Sequence, residues 1–170
     1  MEIIDKEKTV KWLSSKGLLL NSKGSLSFSG FSKPVSYRIP ADSGRKTVLS
    51  RVITSLFDSE TESLLWIDEW GIWPSCEDWT LFEGFRKSLG ESAKLYEKPG
   101  HIFSKQDLGD ITSLVAMVLY FCCGTVIVPA TKSFIIRISH DEFIDIYSQD
   151  KEVLLQIKGI IEKGVDLDTL

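Results

Sequence analysis

The chain has 170 residues, of which 43% are apolar and 26% are charged. This length and composition are typical of one soluble globular domain and exclude a disordered protein. The formal net charge of −4 argues against general nucleic-acid binding, which needs a basic face, and it suits a protein partner, in particular a basic one.

The first third of the chain predicts two helices and several short strands. Asp5 can cap a helix that runs to about Lys16. Residues 21–24 predict the turn of a hairpin between two short apolar segments. A strand over residues 34–39 follows, and apolar residues at helical spacing predict a helix over residues 45–57.

Four of the five tryptophans lie in residues 64–86, a stretch that predicts a strand, a tight turn and a helix. The strand covers residues 62–70 and is apolar on both faces, which is typical of a central strand. Ser75 begins a capping box, and we expect a helix from there to Leu89. The tryptophans then form either the core or the wall of a binding surface. Alternation places Leu64, Trp66 and Trp70 on one face of the strand and Leu65 and Ile67 on the other.

A helix and a hairpin are predicted after the turn at residues 98–100. The capping box that begins at Ser104 predicts a helix that runs to the adjacent cysteines at 122 and 123 and is ended by Gly124. β-branched residues predict strands over residues 125–128 and 133–138, and their short connection favours a hairpin.

Two more helices are predicted near the C-terminus. Residues 139–142 form a further capping box, which predicts a short helix over residues 143–147. Asp150 can cap a last helix that runs to about Lys163 and is ended by Gly164.

Together these elements predict an α+β fold, a single compact domain over residues 1–170. Its sheet is expected to be mostly antiparallel or mixed, flanked by about four to six helices. Within the domain, residues 1–58 hold the N-terminal helix, hairpin and second helix, and residues 59–163 hold the tryptophan-rich segment and the C-terminal half. Residues 164–170 are expected to be a tail.

One apolar stretch raises the question of a membrane span. Residues 111–131 contain no charged residue and are long enough to cross a bilayer. However, Gly124, the β-branched residues after it and Pro129 are poor material for a membrane helix, and neither flank carries a cluster of lysine and arginine. We therefore expect no membrane span, and a membrane-associated protein stays an alternative.

The cysteines and histidines predict no metal site and no cofactor. Three cysteines are an odd number, and the adjacent pair lies in an apolar run, so a reducing compartment is expected. The first residues lack the pattern of a signal peptide, which favours the cytoplasm. Cys76, His101 and His140 do not occur at the spacing of a metal site or a catalytic pair.

Asp68 is the strongest candidate for a ligand-binding or catalytic carboxylate. Indole side chains on its strand face would raise the pKa of a carboxyl group there. Its neighbour Glu69 is expected to point to the opposite face, so the two should not act together. A small enzyme or ligand binder would need Asp68, His101 and His140 to converge on one cleft near the tryptophan-rich turn.

A protein-binding surface is the other use that this region predicts. Trp73 lies between a glycine and a proline on a turn, and tryptophan commonly anchors interfaces. An acidic patch would steer a basic partner, and its predicted members are Asp58, Glu60, Glu62, Glu77, Asp78 and Glu83. The predicted binding residues are Trp70, Trp73, Asp68, Glu77, Asp78 and His101.

Three segments, GIWPSCEDW at 71–79, KPGHIF at 98–103 and SHDEF at 139–143, resemble a pattern in an uncharacterised family of small bacterial proteins. The resemblance covers the C-terminal part of the chain, and the family has no assigned reaction. It therefore implies no catalytic residue, and it implies a bacterial cytoplasmic protein.

We therefore expect a non-catalytic intracellular protein-binding module. Its specific form is an immunity-type protein that neutralises a toxin domain. The alternatives are a small enzyme or ligand binder near the tryptophan-rich turn and a membrane-associated protein.

Overall fold

The computed structural model describes residues 1–70 and 79–165, which form a single compact α+β domain, as predicted. Among these residues there are five α-helices and seven β-strands. The strands are β1 (Glu2–Ile4), β2 (Val35–Arg38), β3 (Ser63–Glu69), β4 (Gly100–Phe103), β5 (Gly124–Pro129), β6 (Ile135–Ile138) and β7 (Phe143–Tyr147). The helices are α1 (Lys6–Ser15), α2 (Ser43–Ser55), α3 (Trp79–Ser88), α4 (Leu108–Phe121) and α5 (Lys151–Gly164).

The described strands form one antiparallel sheet with the order β1-β4-β3-β5-β6-β7-β2. β3 lies between β4 and β5, so Leu65 pairs with His101 on one side and with Ile127 on the other. β5 and β6 pair as the predicted hairpin. The sequence pattern does not predict β1 and β4 as strands, because three or four residues are too few to show an alternation.

Separate apolar clusters cover the two faces of the sheet. Helices α2, α3, α4 and α5 pack on one face, which we call the helix face and which includes Leu65 and Ile67. Helix α1 and the segment after it pack on the other, the α1 face, with Leu64 and Trp66. These four residues are nearly inaccessible to solvent. The prediction that β3 is a central strand buried on both sides is confirmed.

The predicted helix starts follow from local capping. The side chain of Asp5 accepts the Lys8 N–H, and that of Asp150 accepts the Glu152 N–H, both at 2.8 Å. These two caps begin α1 and α5, as predicted. The capping box of Ser104 and Asp107 is also present, at a 3-10 turn (Lys105–Asp107) that continues into α4. The predicted start of α3 at Ser75 lies outside the described residues.

The predicted helix ends are less accurate. α4 ends at Phe121 and is capped by Cys122, whose φ of 52° is left-handed, and Gly124 is already the first residue of β5. α5 includes Gly164, and Val165 is buried in the helix-face core. The chain therefore does not leave the domain at residue 164, and residues 166–170 lie outside the described part.

The prediction of a short helix over residues 143–147 is wrong, because this segment is β7. Ser139 and the two residues after it close a tight turn between β6 and β7: the Asp141 N–H donates to Ser139 Oγ at 2.9 Å, and Glu142 has a left-handed φ of 64°. Burial then alternates along β7, with Ile144 and Ile146 in the helix-face core. The serine pattern here serves a hairpin rather than a helix start.

The apolar stretch at residues 111–131 is divided between two elements. Its first part belongs to α4, and its second part is β5 at the centre of the sheet. Within the described ranges, no helix has the length and apolar character needed to cross a membrane.

Gly100 allows α1 and β1 to approach the sheet closely. A Cβ at this position would overlap Thr9 Oγ1 and Ile4 Cγ1. We expect Gly100→Ala to lower the free energy of unfolding by about 1–3 kcal/mol, because α1 must move. Gly159→Ala in α5 is the matched control, since its Cβ would meet nothing within 4 Å, and it should raise stability by about 1 kcal/mol. Urea unfolding measures both, and equal effects would contradict this account.

Candidate functional site

β3 is irregular near its C-terminal end. Two steps along β3, from Ile67 to Glu69, correspond to one step along β5, from Thr125 to Gly124, as in a β-bulge. A bulge changes the face that later side chains occupy. Trp70 consequently packs against the helix-face core, so the prediction that it shares the α1 face with Leu64 and Trp66 is wrong.

The bulge also brings two carboxylates to one cation. Arg137 of β6, whose cross-strand partner Val126 lies on the α1 face, donates from Nη1 to both oxygens of Asp68 at 2.6 Å. Its Nη2 donates to Glu69 Oε2 at 3.0 Å, and the same oxygen lies 3.1 Å from Nδ1 of His140. We call these four ionisable side chains the charged network. The prediction that the adjacent carboxylates cannot act at one place is wrong, because it assumed unbroken alternation.

Asp68 and Arg137, the more buried pair of the charged network, bind each other. The side chain of Asp68 is only 3% exposed and that of Arg137 15%. Burial raises the pKa of Asp68, although the charge and hydrogen bonds of Arg137 act in the opposite direction. Because both Asp68 oxygens are bound to the guanidinium, we interpret this pair as an ion pair that fixes the end of β3 to β6.

His101 lies apart from the charged network. It pairs with Leu65, so it belongs to the helix face, and it is fully buried. Burial, together with the charge of the nearby Arg86, lowers the pKa of His101 to about 3, so the imidazole is neutral near pH 7. The structure links His140 to Asp68 through the network, but it does not bring His101 to the same cleft.

The tryptophan-rich segment divides between core and surface. Trp66 and Phe82 are buried, Trp70 is half-buried, and Trp79 is 37% exposed. Trp79 Nε1 donates to the carbonyl oxygen of Trp70 at 3.0 Å, which fixes the start of α3 beside the end of β3. The other candidates in this segment, Trp73, Cys76, Glu77 and Asp78, lie outside the described residues.

The described members of the predicted acidic patch do not form one unpaired surface. Asp58, Glu60 and Glu62 precede β3, whereas Glu83 lies in α3, beyond the other end of that strand. Glu83 binds Lys94 Nζ at 2.7 Å. Asp58 contacts Lys105, and Glu60 accepts a hydrogen bond from Thr131. Glu62 contacts both Lys16 and Trp12. Local charge therefore gives no support to steering of a basic partner by these residues.

An open apolar groove between α3 and α4 is the largest hollow described here. Its volume is about 610 Å³, within the usual range of about 300–1,000 Å³ for binding sites. Phe82 and Arg86 lie on the opposite, buried side of α3. The groove is lined by Thr80, Leu81, Gly84 and Phe85 of α3 and by Ser113, Ala116, Met117, Tyr120 and Phe121 of α4.

Large apolar side chains are exposed along this groove. Leu81 is 56% exposed and Tyr120 39%, while Phe85, Met117 and Phe121 pack only partly against the core. Single exposed apolar residues are common, but a contiguous set around a hollow marks an interaction site. The sequence pattern did not predict this groove, although the absence of charged residues from residue 111 to the end of α4 was a signal that could have identified it.

The other hollows among the described residues are smaller, and one of them, of about 430 Å³, lies on α5 beside the exposed Leu155 and Ile160. A polar hollow beside Lys132 and Gln149 has a volume of about 180 Å³, which is small for a ligand site. Within residues 1–70 and 79–165, no group of three or more histidine, cysteine and acidic side chains is arranged to hold a metal ion.

The charged network predicts a strong dependence of stability on Arg137. Arg137→Met leaves the buried Asp68 carboxylate without its cation, and we expect a loss of about 3–5 kcal/mol in urea unfolding. Asp68→Leu combined with Arg137→Met should lose less than either single variant, because no unpaired charge stays buried.

Arg38→Met is the matched control for these Asp68 and Arg137 variants. The ion pair of Arg38 with Glu142 is exposed and 3.6 Å long, so its loss should cost less than about 1 kcal/mol. Additive effects of the Asp68 and Arg137 substitutions would contradict a coupled buried pair.

The buried His101 predicts a loss of stability in acid. Its pKa in the folded protein, about 3, lies below the usual value of about 6.5, so the unfolded chain binds a proton that the folded one excludes. As pH falls from about 6.5 toward 3, His101 should lower the free energy of unfolding by up to about 1.4 kcal/mol per pH unit. His101→Leu should flatten this dependence.

Leu65→Val, on the strand residue that faces His101, is the control. It should lower stability by a similar amount at every pH, because it removes no titrating group. An unchanged acid slope in His101→Leu would show that other groups cause the loss.

No protein-family model matches the chain, and neither a curated protein nor a solved structure matches it.

Proposed function

We propose that this protein is a non-catalytic protein-binding module and that its binding surface is the apolar groove between α3 and α4. The observation that carries the proposal is the exposure of Leu81 and Tyr120 around a hollow of about 610 Å³. Covering one leucine side chain fully is worth about 1.5–3 kcal/mol. Because Leu81 is 56% exposed, a partner that covers it gains about half of this energy.

The polar candidates support a different role. Asp68 is bound by Arg137, and His101 is buried and neutral. The enzyme alternative requires Asp68, His101 and His140 in one cleft, but His101 lies on the helix face, apart from the contact between Glu69 and His140. We therefore place binding, and not catalysis, at the described surface.

The specific form that we propose is an immunity-type protein that neutralises a toxin domain. A small, acidic domain with an exposed apolar groove suits this role, and the resemblance to small bacterial proteins is in keeping with it. We also propose a cytoplasmic location, since Cys122 is buried and an odd number of cysteines, three, is typical of proteins of a reducing compartment. Apolar contact, and not steering by the predicted acidic patch, is the main source of affinity in this proposal.

Leu81→Asp should abolish partner binding. Wild-type protein used as bait in an extract of its source organism should retain a partner, and the recovered partner should bind Leu81→Asp at least about tenfold more weakly in calorimetry. A photo-cross-linking residue in place of Leu81 should label the same partner.

Leu155→Asp is the matched control, because Leu155 is 66% exposed on α5, away from the groove. It should bind like the wild type, and both variants should keep their unfolding free energy within about 0.5 kcal/mol. Binding that survives Leu81→Asp, binding that Leu155→Asp weakens equally, or no retained partner would contradict the proposal.

A further inference from the structure

We propose that the occupant of the groove is an amphipathic helix of the partner, with a carboxylate at the end of its apolar face that lies beside Lys46. This inference rests on the proposed function and names its partner. The groove runs between two helices, as in helix-in-groove recognition. Small side chains leave room for an apolar ridge between the walls: a Cβ on Gly84 would meet nothing within 4 Å, and Ser113 and Ala116 line the opposite wall.

Lys46 supplies the cation at one end of the groove. Its Nζ lies 5.5 Å from the centroid of the Tyr120 ring, and the Tyr120 hydroxyl donates to the Ser43 carbonyl oxygen at 2.9 Å, which holds this ring beside α2. Within the described residues, Lys46 forms no ion pair with a carboxylate. A partner carboxylate at this end would form an ion pair with Lys46.

The remaining charges near the groove favour no second ion pair. Phe82 of α3 packs 6.1 Å from Phe121 of α4 between ring centroids, so α3 begins beside the end of α4. Lys87 and Asp110, about one turn beyond the groove residues of each helix, therefore lie toward the opposite end. The N-terminus of α2 is already capped by Asp42, which accepts the Arg45 N–H at 2.8 Å. Among the described residues, Lys46 is therefore the cation to which we assign the complementarity.

Two helical peptides test this inference. Each is a lactam-bridged peptide of about 14 residues with leucines at positions i, i+3, i+4 and i+7, and the two differ only in carrying glutamate or lysine at both ends. The same residue at both ends makes the result independent of peptide direction. Fluorescence anisotropy at low salt should show about three- to fivefold tighter binding of the glutamate peptide, and high salt should remove the preference.

Charge reversal supplies the decisive variant. Lys46→Glu should reverse the preference, so that the lysine peptide binds more tightly. Lys11→Glu, which makes the same change of net charge on the exposed side of α1, should leave the wild-type preference unchanged.

The outcomes separate this inference from the proposed function. Equal binding of both peptides, lost in Leu81→Asp, would overturn the acidic helix and leave the groove proposal standing. Binding that Leu81→Asp does not weaken, or no binding of either peptide, would overturn both. A dimer in sedimentation that Leu81→Asp dissociates would show that a second copy of the chain fills the groove, and would overturn the acidic helix.

Discussion

The burial of β3 on both faces is the constraint on which the rest of the structure depends. An antiparallel sheet commonly keeps one face in water, but Leu64 and Trp66 on one side of β3 and Leu65 and Ile67 on the other all need an apolar cover. The chain meets this need with four helices on one face and with α1 and the segment after it on the other. Charged side chains can then occur on this strand only at its end, where Asp68 and Glu69 lie.

The β-bulge at the end of β3 determines where α3 begins. It directs Asp68 and Glu69 to Arg137, which fixes β3 to the β6–β7 hairpin. It also moves Trp70 to the helix face, where its carbonyl oxygen accepts the Trp79 indole N–H. The start of α3, and with it one wall of the groove, therefore follows from the same shift of register.

The groove results from the distribution of apolar residues between the buried and the exposed sides of α3. Phe82 and the buried Arg86 occupy its inner side, so Leu81 and Phe85 are left beside α4, where Ser113, Ala116 and Met117 precede Tyr120 along the groove. No strand or helix of the described residues covers this edge of the helix layer. Among the described residues, the structure thus combines a two-sided core, which includes His101, with an apolar groove between α3 and α4 that is suited to a partner.

The sequence by itself determined the α+β class, the central strand, the β5–β6 hairpin and most helix starts. These features depend on local chemistry: a carboxylate cap needs only the next few N–H groups, and two-sided burial shows in consecutive apolar residues. The face of Trp70, the joint binding of Asp68 and Glu69 to Arg137, the strand at residues 143–147 and the exposure of Leu81 were decided by the tertiary structure. Each depends on a pairing register or a neighbouring helix many residues away, and side-chain alternation carries no information about a bulge or about which apolar face is left uncovered.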